Sequence, residues 1–428
     1  MTAIIISAII VLVCLGLFMW EKITPTVIAT LGALVMVTVG RMMGFYTEKQ
    51  ALANIDLFTI LLLLGMMILV ELLEPTGFFQ YLALMAGRLS RGKSIRLLFL
   101  LGLISAVVSM FLPNITTIVL IAPVTILICE ILGVESRPFL IAEAVFSNTG
   151  GVATLIGDPP NMLVASASGF VFNDFLTHSL PIVIIVLVAV VFLLRYLFRR
   201  ELEVKVDSNT LLSLKPSEAI KDKQTIYKVL IVLAAAMLCM AFQSQLGVSP
   251  AYIALASSGI AFLWVGSNLK QTLKRVEWDV LLFFGSLFVM IGGLEASGAL
   301  HTLATVFYGM KDLPPTVIGL ILLWIVAFSS AVIDNVPITI AMIPIILELQ
   351  SIGVDIQPLW WALVFGAGFG GNGTIIGAST NILIASLSEK TSTPITPRYW
   401  NKRGLPVMLV SCASASLFYI LVGLIIGW

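Results

Sequence analysis

The sequence predicts an all-α polytopic membrane protein built from two inverted repeats, and three observations support this fold class. Hydrophobic residues make up 59% of the 428 residues and charged residues only 11%, whereas a soluble chain carries about 25% charged residues. Uncharged apolar runs of the length that a spanning helix needs, about 20 residues, occur roughly ten times. The third observation is that one half of the sequence is similar to the other.

Three segments recur in the same order at shifts of 220 or 221 residues. They pair residues 74–77 with 295–298, 109–123 with 330–344, and 154–166 with 374–386. One match between apolar segments carries little weight, but three matches at nearly one spacing indicate an internal structural repeat. In membrane proteins, such repeats often place a binding site at the interface between the halves.

Each repeat is predicted to contain five spans and one re-entrant hairpin: three scaffold spans, the hairpin, a span broken near its middle, and a last span. Repeat 1 covers residues 1–198, with scaffold spans in 1–73, the hairpin at 95–131, the broken span at 138–168 and the last span at 180–197. A cytoplasmic linker, 199–224, leads to repeat 2 at 225–428, with the hairpin at 317–348, the broken span at 358–388 and the last span at 405–427.

The distribution of Lys and Arg predicts the orientation, because short cytoplasmic loops collect positive charge. With both termini extracytoplasmic, 21 basic residues lie inside and only Arg41, Lys49 and Lys311 lie outside. Five spans per repeat is an odd number, so the second repeat is expected to run upside down relative to the first. We expect a multi-pass protein of the cell inner (plasma) membrane.

Four polar interruptions fall near the middle of long apolar runs. They are Pro113-Asn114, Asn335-Val-Pro337, and residues 157–161 and 377–381. Non-helical backbone persists at membrane depth only where protein or a water-filled cavity covers it, and each interruption exposes helix ends with free N–H and C=O groups. We therefore expect one polar cavity at the midplane, with Thr339, Ser379 and Thr380 among its substrate-binding groups.

Two carboxylates, Asp158 and Asp334, fall inside these interruptions. Neither acid is repeated in the other half: Asp158 corresponds to Ala378, and Asp334 corresponds to Pro113. Ionisable groups in the membrane interior are costly, and they are functional candidates by default. Either acid is a candidate to carry a proton or coordinate a small cation; the alternative for each is that it caps a half-helix. The interruptions contain no Lys or Arg, which disfavours a dicarboxylate cargo because of charge repulsion.

Other ionisable groups have structural interpretations. Glu74 and Glu295 recur in both repeats just before a Gly, which favours a helix-end role, and His178 and His301 fall near the outer ends of spans. Asp56 and Glu277, 221 residues apart, stand at span starts, where an acid interacts favourably with the helix dipole. The four cysteines lie singly in apolar runs, which favours core packing over a disulfide or metal site.

Residues 87–94 fit the phosphate-loop pattern G-x-x-x-x-G-K-[ST]. That motif requires a preceding buried strand and a soluble nucleotide-binding domain, and no part of this sequence provides them. A basic cytoplasmic loop accounts for all of these residues. The net charge of +1 and the lack of a basic, aromatic-rich face also disfavour a nucleic-acid partner.

Two segments resemble the ion transporter superfamily, within it the branch of arsenite efflux proteins (ArsB), P proteins and NhaD antiporters. They are residues 147–161, Ser-Asn-Thr-Gly-Gly-Val-Ala-Thr-Leu-Ile-Gly-Asp-Pro-Pro-Asn, and Asp334-Asn335 with Pro337. The resemblance extends over nearly the whole chain. It implies that Asn114, Thr116 and Thr117 lie on the inward hairpin, Asn335 on the outward hairpin, and Asn161 and Asn381 in the broken spans, all contributing to substrate binding.

The predicted function is secondary active transport by alternating access, foremost proton-coupled efflux of arsenite or antimonite as the neutral hydroxide. The second candidate is a Na⁺/H⁺ antiporter, and the third is a di- or tricarboxylate symporter. Carboxylate carriers of the superfamily usually have Ser-Asn-Thr at the hairpin tips, whereas this sequence has Pro-Asn-Ile and Asp-Asn-Val. We expect no enzymatic activity, cofactor or resident metal. The expected partners are the solute, protons and the bilayer, with a homodimer and the cytoplasmic ATPase subunit of some relatives as further candidates.

Overall fold

The computed structural model describes residues 1–18, 23–203, 215–304, 313–351 and 353–425, and these are helical with no strand among them. The all-α prediction is therefore confirmed. The first half contains α1 (Thr2–Phe18), α2 (Pro25–Met43), α3 (Glu48–Ala53), α4 (Leu57–Leu73), α5 (Phe78–Ser90), α6 (Ser94–Ser109), α7 (Asn114–Leu132), α8 (Arg137–Gly151), α9 (Pro159–Ser168) and α10 (Leu180–Leu197).

The second half follows a similar order. It contains α11 (Lys223–Ala241), α12 (Pro250–Val265), α13 (Leu269–Arg275), α14 (Trp278–Ala296), α15 (Ala299–Ala304), α16 (Pro315–Ser330), α17 (Asn335–Ser351), α18 (Gln357–Gly370), α19 (Ser379–Ser388) and α20 (Pro397–Ile425). Short helical turns occupy Glu74–Thr76, Phe172–Asp174, Phe175–Ser179, Pro216–Ala219, Gln243–Leu246, Gly371–Gly373 and Ile375–Gly377.

Seven helical stretches of the described residues are long and apolar enough to cross a bilayer. They are Pro25–Met43, Leu57–Thr76, Asn114–Leu132, Phe172–Leu197, Lys223–Ala241, Trp278–Ala296 and Pro397–Leu421. Shorter apolar helices include α1, α6, α12 and α16. The chain is thus a multi-pass membrane protein, while the count of five spans per repeat and the membrane orientation stay predictions. Residues 204–214 of the predicted linker, Lys22, Lys311 and the end of the last predicted span lie outside the described residues.

Helix ends follow local sequence signals. Pro25 starts α2, where its missing N–H costs nothing, and Gly44 ends it in the left-handed region at φ 76°. The Asp222 carboxylate caps α11 by accepting hydrogen bonds from Thr225 and Gln224. The bonds from Thr225 are the largest cause of the lowered pKa of Asp222.

Each predicted hairpin consists of two helices joined by four residues. Residues 110–113 connect α6 to α7, and residues 331–334 connect α16 to α17. The hairpin of α6 and α7 is called hairpin 1 below, and that of α16 and α17 hairpin 2. Pro113 precedes α7 with ψ 139°, an extended conformation that ends the turn and starts the new helix.

The two predicted breaks have the same hydrogen bonds. Asn161 Nδ2 donates to the carbonyl oxygens of Gly151 at 3.0 Å and Thr154 at 2.7 Å. At the positions 220 residues later, Asn381 Nδ2 donates to Gly371 at 2.7 Å and Thr374 at 2.9 Å. These bonds satisfy carbonyls that lost their helical partners. Their recurrence is what a structural repeat predicts; the inverted orientation of the second repeat stays a prediction.

The described parts of the predicted linker pack against the helices. The Lys221 N–H donates to the Thr76 carbonyl at 2.8 Å, at the elbow between α4 and α5. At the other end, Arg403 Nη2 lies 2.6 Å from Glu201 Oε1, and the Tyr399 hydroxyl donates to Glu201 Oε2 at 2.9 Å. Residues 87–94 form the end of α5, a turn and the start of α6, so no strand precedes them.

Close packing within each repeat depends on glycine. A Cβ on Gly150 would collide with the backbone of Ala106 in α6, and one on Gly370 would collide with Ala327 in α16. We expect Gly150→Val and Gly370→Val each to destabilise the protein by about 1–3 kcal/mol or more, because backbone cannot yield as a flexible side chain can. Thermal unfolding of the detergent-purified protein measures this effect.

The matched control is Gly259→Ala in the exposed middle of α12, where a Cβ meets open space. This change is expected to raise stability by about 0.5–1 kcal/mol, because alanine favours the helix. A melting temperature for Gly150→Val equal to that of the parent protein would contradict the close approach of α8 and α6.

Candidate functional site

A small cavity of about 50 Å³ lies where the hairpin tips and the breaks of both halves meet. Its polar lining residues are Asn114, Asn148, Asp158, Glu277, Asp334, Asn335, Ser379 and Thr380. These residues are contributed by six different helices or their connections, so the cavity exists only in the folded chain. A volume of this size has room for a few water-sized groups.

Asp158 is buried, with 3% of its surface exposed, and its carboxylate reaches across to the hairpins. Asn335 Nδ2 donates to Asp158 Oδ2 at 3.1 Å, and a further side-chain hydrogen bond joins Asp158 to Asn114. Asp158 stands at the start of α9, yet its side chain makes no capping bond with that helix. The capping alternative for Asp158 is therefore not what the geometry shows.

Asp334 makes the capping bonds that Asp158 lacks. Its Oδ1 accepts from the Val336 N–H at 3.1 Å, at the start of α17. Its Oδ2 accepts from the N–H of Ser379 at 3.0 Å and from the Ser379 hydroxyl at 2.6 Å, at the start of α19. A carboxylate at two helix N-termini satisfies free donors and interacts favourably with both dipoles. One acid thus joins hairpin 2 to the second break.

The structure brings six of the predicted site residues to the cavity and leaves five outside its lining. Those at the cavity are Asn114, Asp158, Asp334, Asn335, Ser379 and Thr380. Asn161 and Asn381 instead donate their amides to the broken backbone. Thr339 donates to the Asn335 carbonyl at 2.7 Å, and Thr117 is fully buried in α7. Thr116 lies beside the cavity, where it contacts Glu277.

Asn148 is a lining residue that the sequence analysis did not select. Its Nδ2 donates to Asn372 Oδ1 at 3.0 Å and to Asn381 Oδ1 at 2.9 Å, which links α8 to the second break. Its Oδ1 is buried and has no hydrogen-bond partner among the described residues. An unpaired buried acceptor is costly. The sequence feature that could have identified Asn148 is its position in residues 147–161, one of the two segments that carry the family resemblance.

Glu277 is the second lining residue that the sequence analysis missed, because it was interpreted as a helix-dipole acid. It precedes α14, but its side chain makes no capping bond there. A side-chain hydrogen bond joins it to Thr116 on hairpin 1 instead. The repeat-related Asp56 does cap its own helix, accepting from the Phe58 N–H at 3.0 Å and the Thr59 hydroxyl at 2.6 Å. The dipole interpretation therefore holds for Asp56 only.

A larger, mostly apolar cavity of about 240 Å³ adjoins the small one and shares Asp334, Ser379 and Ile115 with it. It extends to Phe18 at the end of α1 and Pro25 at the start of α2. Sequence analysis predicts that this α1–α2 connection is cytoplasmic. The larger cavity therefore extends from the lining of the small cavity to the facing ends of α1 and α2.

The two cavities are strongly acidic. Four carboxylates line them: Asp158, Glu277, Asp279 and Asp334. Among the described residues of the two linings there is no Lys, Arg or His. Like charges in a low dielectric repel one another strongly, so this arrangement accepts protons, cations or neutral solutes and disfavours anions. No cluster of three His, Cys, Asp or Glu with metal-binding geometry occurs in the described part of the chain.

Comparison with known proteins agrees with this architecture. The family model described as "Citrate transporter" (CitMHS) matches residues 15–366. An uncharacterized transporter of Mycobacterium tuberculosis is 37% identical over 406 residues, covering 93% of this chain and 94% of that protein. The human P protein is 31% identical over 501 residues, covering 96% of this chain but only 59% of its own length.

A solved transporter structure has a similar fold. The YdaH transporter of Alcanivorax borkumensis, described as having an unusual topology, superposes with a TM-score of 0.62 at 15% identity, covering 94% of this chain and 99% of that one. At this identity the likeness shows the fold alone. The family match covers most of the chain, and the predicted membership of the ion transporter superfamily is confirmed. The chain therefore belongs to the citrate transporter (CitMHS) family of that superfamily, and it is a secondary transporter.

Proposed function

We propose that this transporter exchanges a small neutral or cationic solute for a proton carried by Asp158. The observation that carries the proposal is the small cavity between the two halves, where carboxylates face amide and hydroxyl groups and the described lining residues include no Lys, Arg or His. Its volume of about 50 Å³ limits the cargo to a few heavy atoms. Asp158 is favoured over Asp334 because the latter already caps two helices.

The leading cargo is arsenite or antimonite as the neutral trihydroxide. Asn114, Asn335 and Thr380 offer amide and hydroxyl groups that pair with the hydroxyls of such a solute. A neutral cargo meets no repulsion from the carboxylates. No cysteine lines the cavity among the described residues, so the cargo would be held through its oxygen atoms and not through thiolate.

A Na⁺/H⁺ antiporter is the second candidate, and one observation favours it specifically. Asn148 Oδ1 is a buried oxygen acceptor that has no hydrogen-bond partner in the described part of the chain, and Asn148 lines the same cavity as Asp158. Oxygen ligands of this kind, carboxylate and amide carbonyl, suit hard cations. In that case the cation and the proton would compete for Asp158.

Citrate, named in the description of the family model, is the third candidate. Free citrate carries up to three negative charges and would face four carboxylates without a basic partner. It also exceeds the volume of the small cavity, and only the adjoining apolar cavity could take the rest. A citrate cargo therefore requires charge compensation, for example by a bound divalent cation, and the experiment must include that form.

Flux into proteoliposomes with an imposed pH gradient separates the candidates. Vesicles with an acidic lumen test antiport and vesicles in acidic medium test symport, each with arsenite, ²²Na⁺, or citrate with and without Mg²⁺. The proposal predicts uptake of arsenite into acidic vesicles that stops when a protonophore collapses the gradient. Sodium uptake without arsenite uptake would replace the leading candidate by the second. Citrate uptake alone would overturn both.

The membrane orientation is part of the same proposal. Both termini would be extracytoplasmic in the inner membrane, and the larger cavity would open to the cytoplasm. In a Cys239→Ser background, which removes the one exposed cysteine of the described residues, membrane-impermeant labelling of Lys270→Cys is expected to fail in intact cells and to succeed after lysis, because α13 would lie inside. Labelling of this position in intact cells would reverse the orientation.

A further inference from the structure

The larger cavity differs in chemistry from the small cavity beside it. Its described lining is mostly apolar and includes three phenylalanines, Phe18 at the end of α1 and Phe283 and Phe284 on α14. The rings of Phe18 and Phe283 meet edge to face with their centroids 5.9 Å apart, and those of Phe283 and Phe284 meet in the same way at 6.0 Å. Exchange of a small solute at the small cavity leaves this aromatic volume of about 240 Å³ without a use.

An exposed carboxylate, that of Asp279, stands at the same cavity. Asp279 lies four residues before Phe283, so the two side chains project from the same face of α14. Its backbone carbonyl accepts from the Thr26 hydroxyl at 3.2 Å, but within the described ranges its carboxylate has no hydrogen bond and no basic partner. Its one electrostatic neighbour there is another acid, Glu277. The carboxylate of Asp279 is therefore available to a cation that enters the cavity.

The combination of an acid with aromatic walls selects a class of ligand. A hard inorganic cation prefers several oxygen ligands, and apolar walls do not supply them. An anion is repelled by the acids. A cation with an apolar body uses both parts of the lining, because aromatic faces attract quaternary ammonium groups as well as apolar surface. A cavity of about 150 Å³ holds benzene, so about 240 Å³ has room for one ring and a compact ammonium group.

We propose that the larger cavity is a binding site for a lipophilic organic cation, a quaternary ammonium or protonated amine carried on an aromatic body. The ammonium group lies against the Asp279 carboxylate, and the body packs against Phe18 and Phe283 and the wall that hairpin 2 contributes. Asp279 is the anchor rather than Asp334, because both Asp334 oxygens already accept hydrogen bonds at helix starts. The inference concerns binding alone and does not rest on the cargo proposed above.

Equilibrium dialysis with ¹⁴C-labelled benzyltrimethylammonium tests the site directly. The full chain is placed in lipid nanodiscs without cargo or pH gradient, and empty nanodiscs correct for partition into lipid. We expect saturable binding to a single site per chain, together with a rise in melting temperature, because a ligand that binds only the folded protein stabilises it.

Two competing ligands separate the contributions of charge and apolar body. N,N-dimethylbenzamide has the same number of non-hydrogen atoms as the probe but no charge, and tetramethylammonium has the charge but no ring. Each should displace the probe at least about fivefold less effectively, since each lacks one of the two interactions.

Variants assign the binding to named residues. Asp279→Asn removes the charge at an exposed, hydrated position and should weaken binding by about fivefold. Phe283→Leu keeps an apolar wall but loses the aromatic face, and it should weaken binding by about threefold. The matched controls are Asp355→Asn, at an exposed carboxylate between α17 and α18, and Phe328→Leu, at an exposed ring on α16; neither residue lines the cavity. Both controls should bind the probe as the parent protein does.

Three results would overturn the inference: no saturable binding above that of empty nanodiscs, displacement by N,N-dimethylbenzamide or tetramethylammonium as effective as by the unlabelled probe, or parent-like binding in Asp279→Asn. The melting temperature of each variant without ligand shows that it is folded. Because neither cargo nor gradient is present, probe binding does not depend on the outcome of the arsenite and sodium flux measurements, and those measurements do not depend on probe binding.

Discussion

Asp158→Asn is expected to abolish proton-driven uptake, reducing flux to the rate of protein-free vesicles. The neutral amide keeps an oxygen that accepts from Asn335 Nδ2, so the cavity should retain its shape, but it carries no proton across the pH range of the assay. A transporter that exchanges solute for this proton then has no counter-ion. Uptake of arsenite or ²²Na⁺ into acidic proteoliposomes measures the loss.

Stability provides the second readout for Asp158→Asn. Asp158→Asn removes a buried charge but keeps only one oxygen for the bonds from Asn335 and Asn114, so we expect its melting temperature to change little, because the relieved cost of the buried charge offsets the weakened bond. Asp334→Asn is the matched control, because an amide nitrogen in place of Oδ2 cannot accept from the Ser379 N–H. We expect that variant to lose about 1–3 kcal/mol of stability. If Asp158→Asn transports normally while Asp334→Asn melts normally and fails to transport, the two acids have the opposite roles.

Asn381→Ala is expected to be the most destabilising single substitution among those considered. The Asn381 amide donates to the carbonyls of Gly371 and Thr374, and its oxygen accepts from Asn148 Nδ2. The Gly371 carbonyl then loses its side-chain partner, while the Thr374 carbonyl keeps only the Gly377 N–H and Asn148 Nδ2 keeps only Asn372 Oδ1. At about 1–3 kcal/mol for one unsatisfied buried group and about 0.5–1.5 kcal/mol for each of the two other hydrogen bonds lost, the total loss is about 2–6 kcal/mol. Thermal unfolding in detergent and the yield of folded protein in the membrane measure it.

The repeat gives this experiment an internal comparison. Asn161→Ala removes bonds to the carbonyls of Gly151, Val152 and Thr154 and should cause a loss of similar size. Asn173→Ala, at an exposed position before α10, should change stability by less than about 0.5 kcal/mol. Melting temperatures for Asn381→Ala and Asn173→Ala that agree with each other would show that the amide does not hold the break.

Much of the fold could be predicted from the sequence because a lipid bilayer permits few backbone conformations. Long apolar runs must form helices, which satisfy every backbone group internally. The interruptions at Asn114, Asp158, Asn335 and residues 377–381 stand out against that background, and the structure places all four around one cavity. The matching offsets of 220 and 221 residues located the two breaks, whose hydrogen bonds are the same.

The partners of individual side chains could not be predicted in the same way. The sequence offered the same two roles, proton carrier or helix cap, for Asp158 and for Asp334. Only contacts between distant segments separate them, since Asp334 lies 45 residues from Ser379 and Asp158 lies 177 residues from Asn335. Asn148 was distinguished in the sequence only by its place in residues 147–161, and its bonds to Asn372 and Asn381 form only where α8 approaches the second break.

The sequence by itself determined a helical, multi-pass membrane protein with an internal repeat and polar interruptions, because hydropathy and helix-breaking residues act locally along the chain. The tertiary structure decided which acid caps helices, which acid faces the cavity, and why Glu277 and Asp56 differ. These outcomes depend on how hairpin 1 and hairpin 2 dock against the other helices. This docking depends on surfaces contributed by both halves of the chain, so no local sequence pattern predicts it.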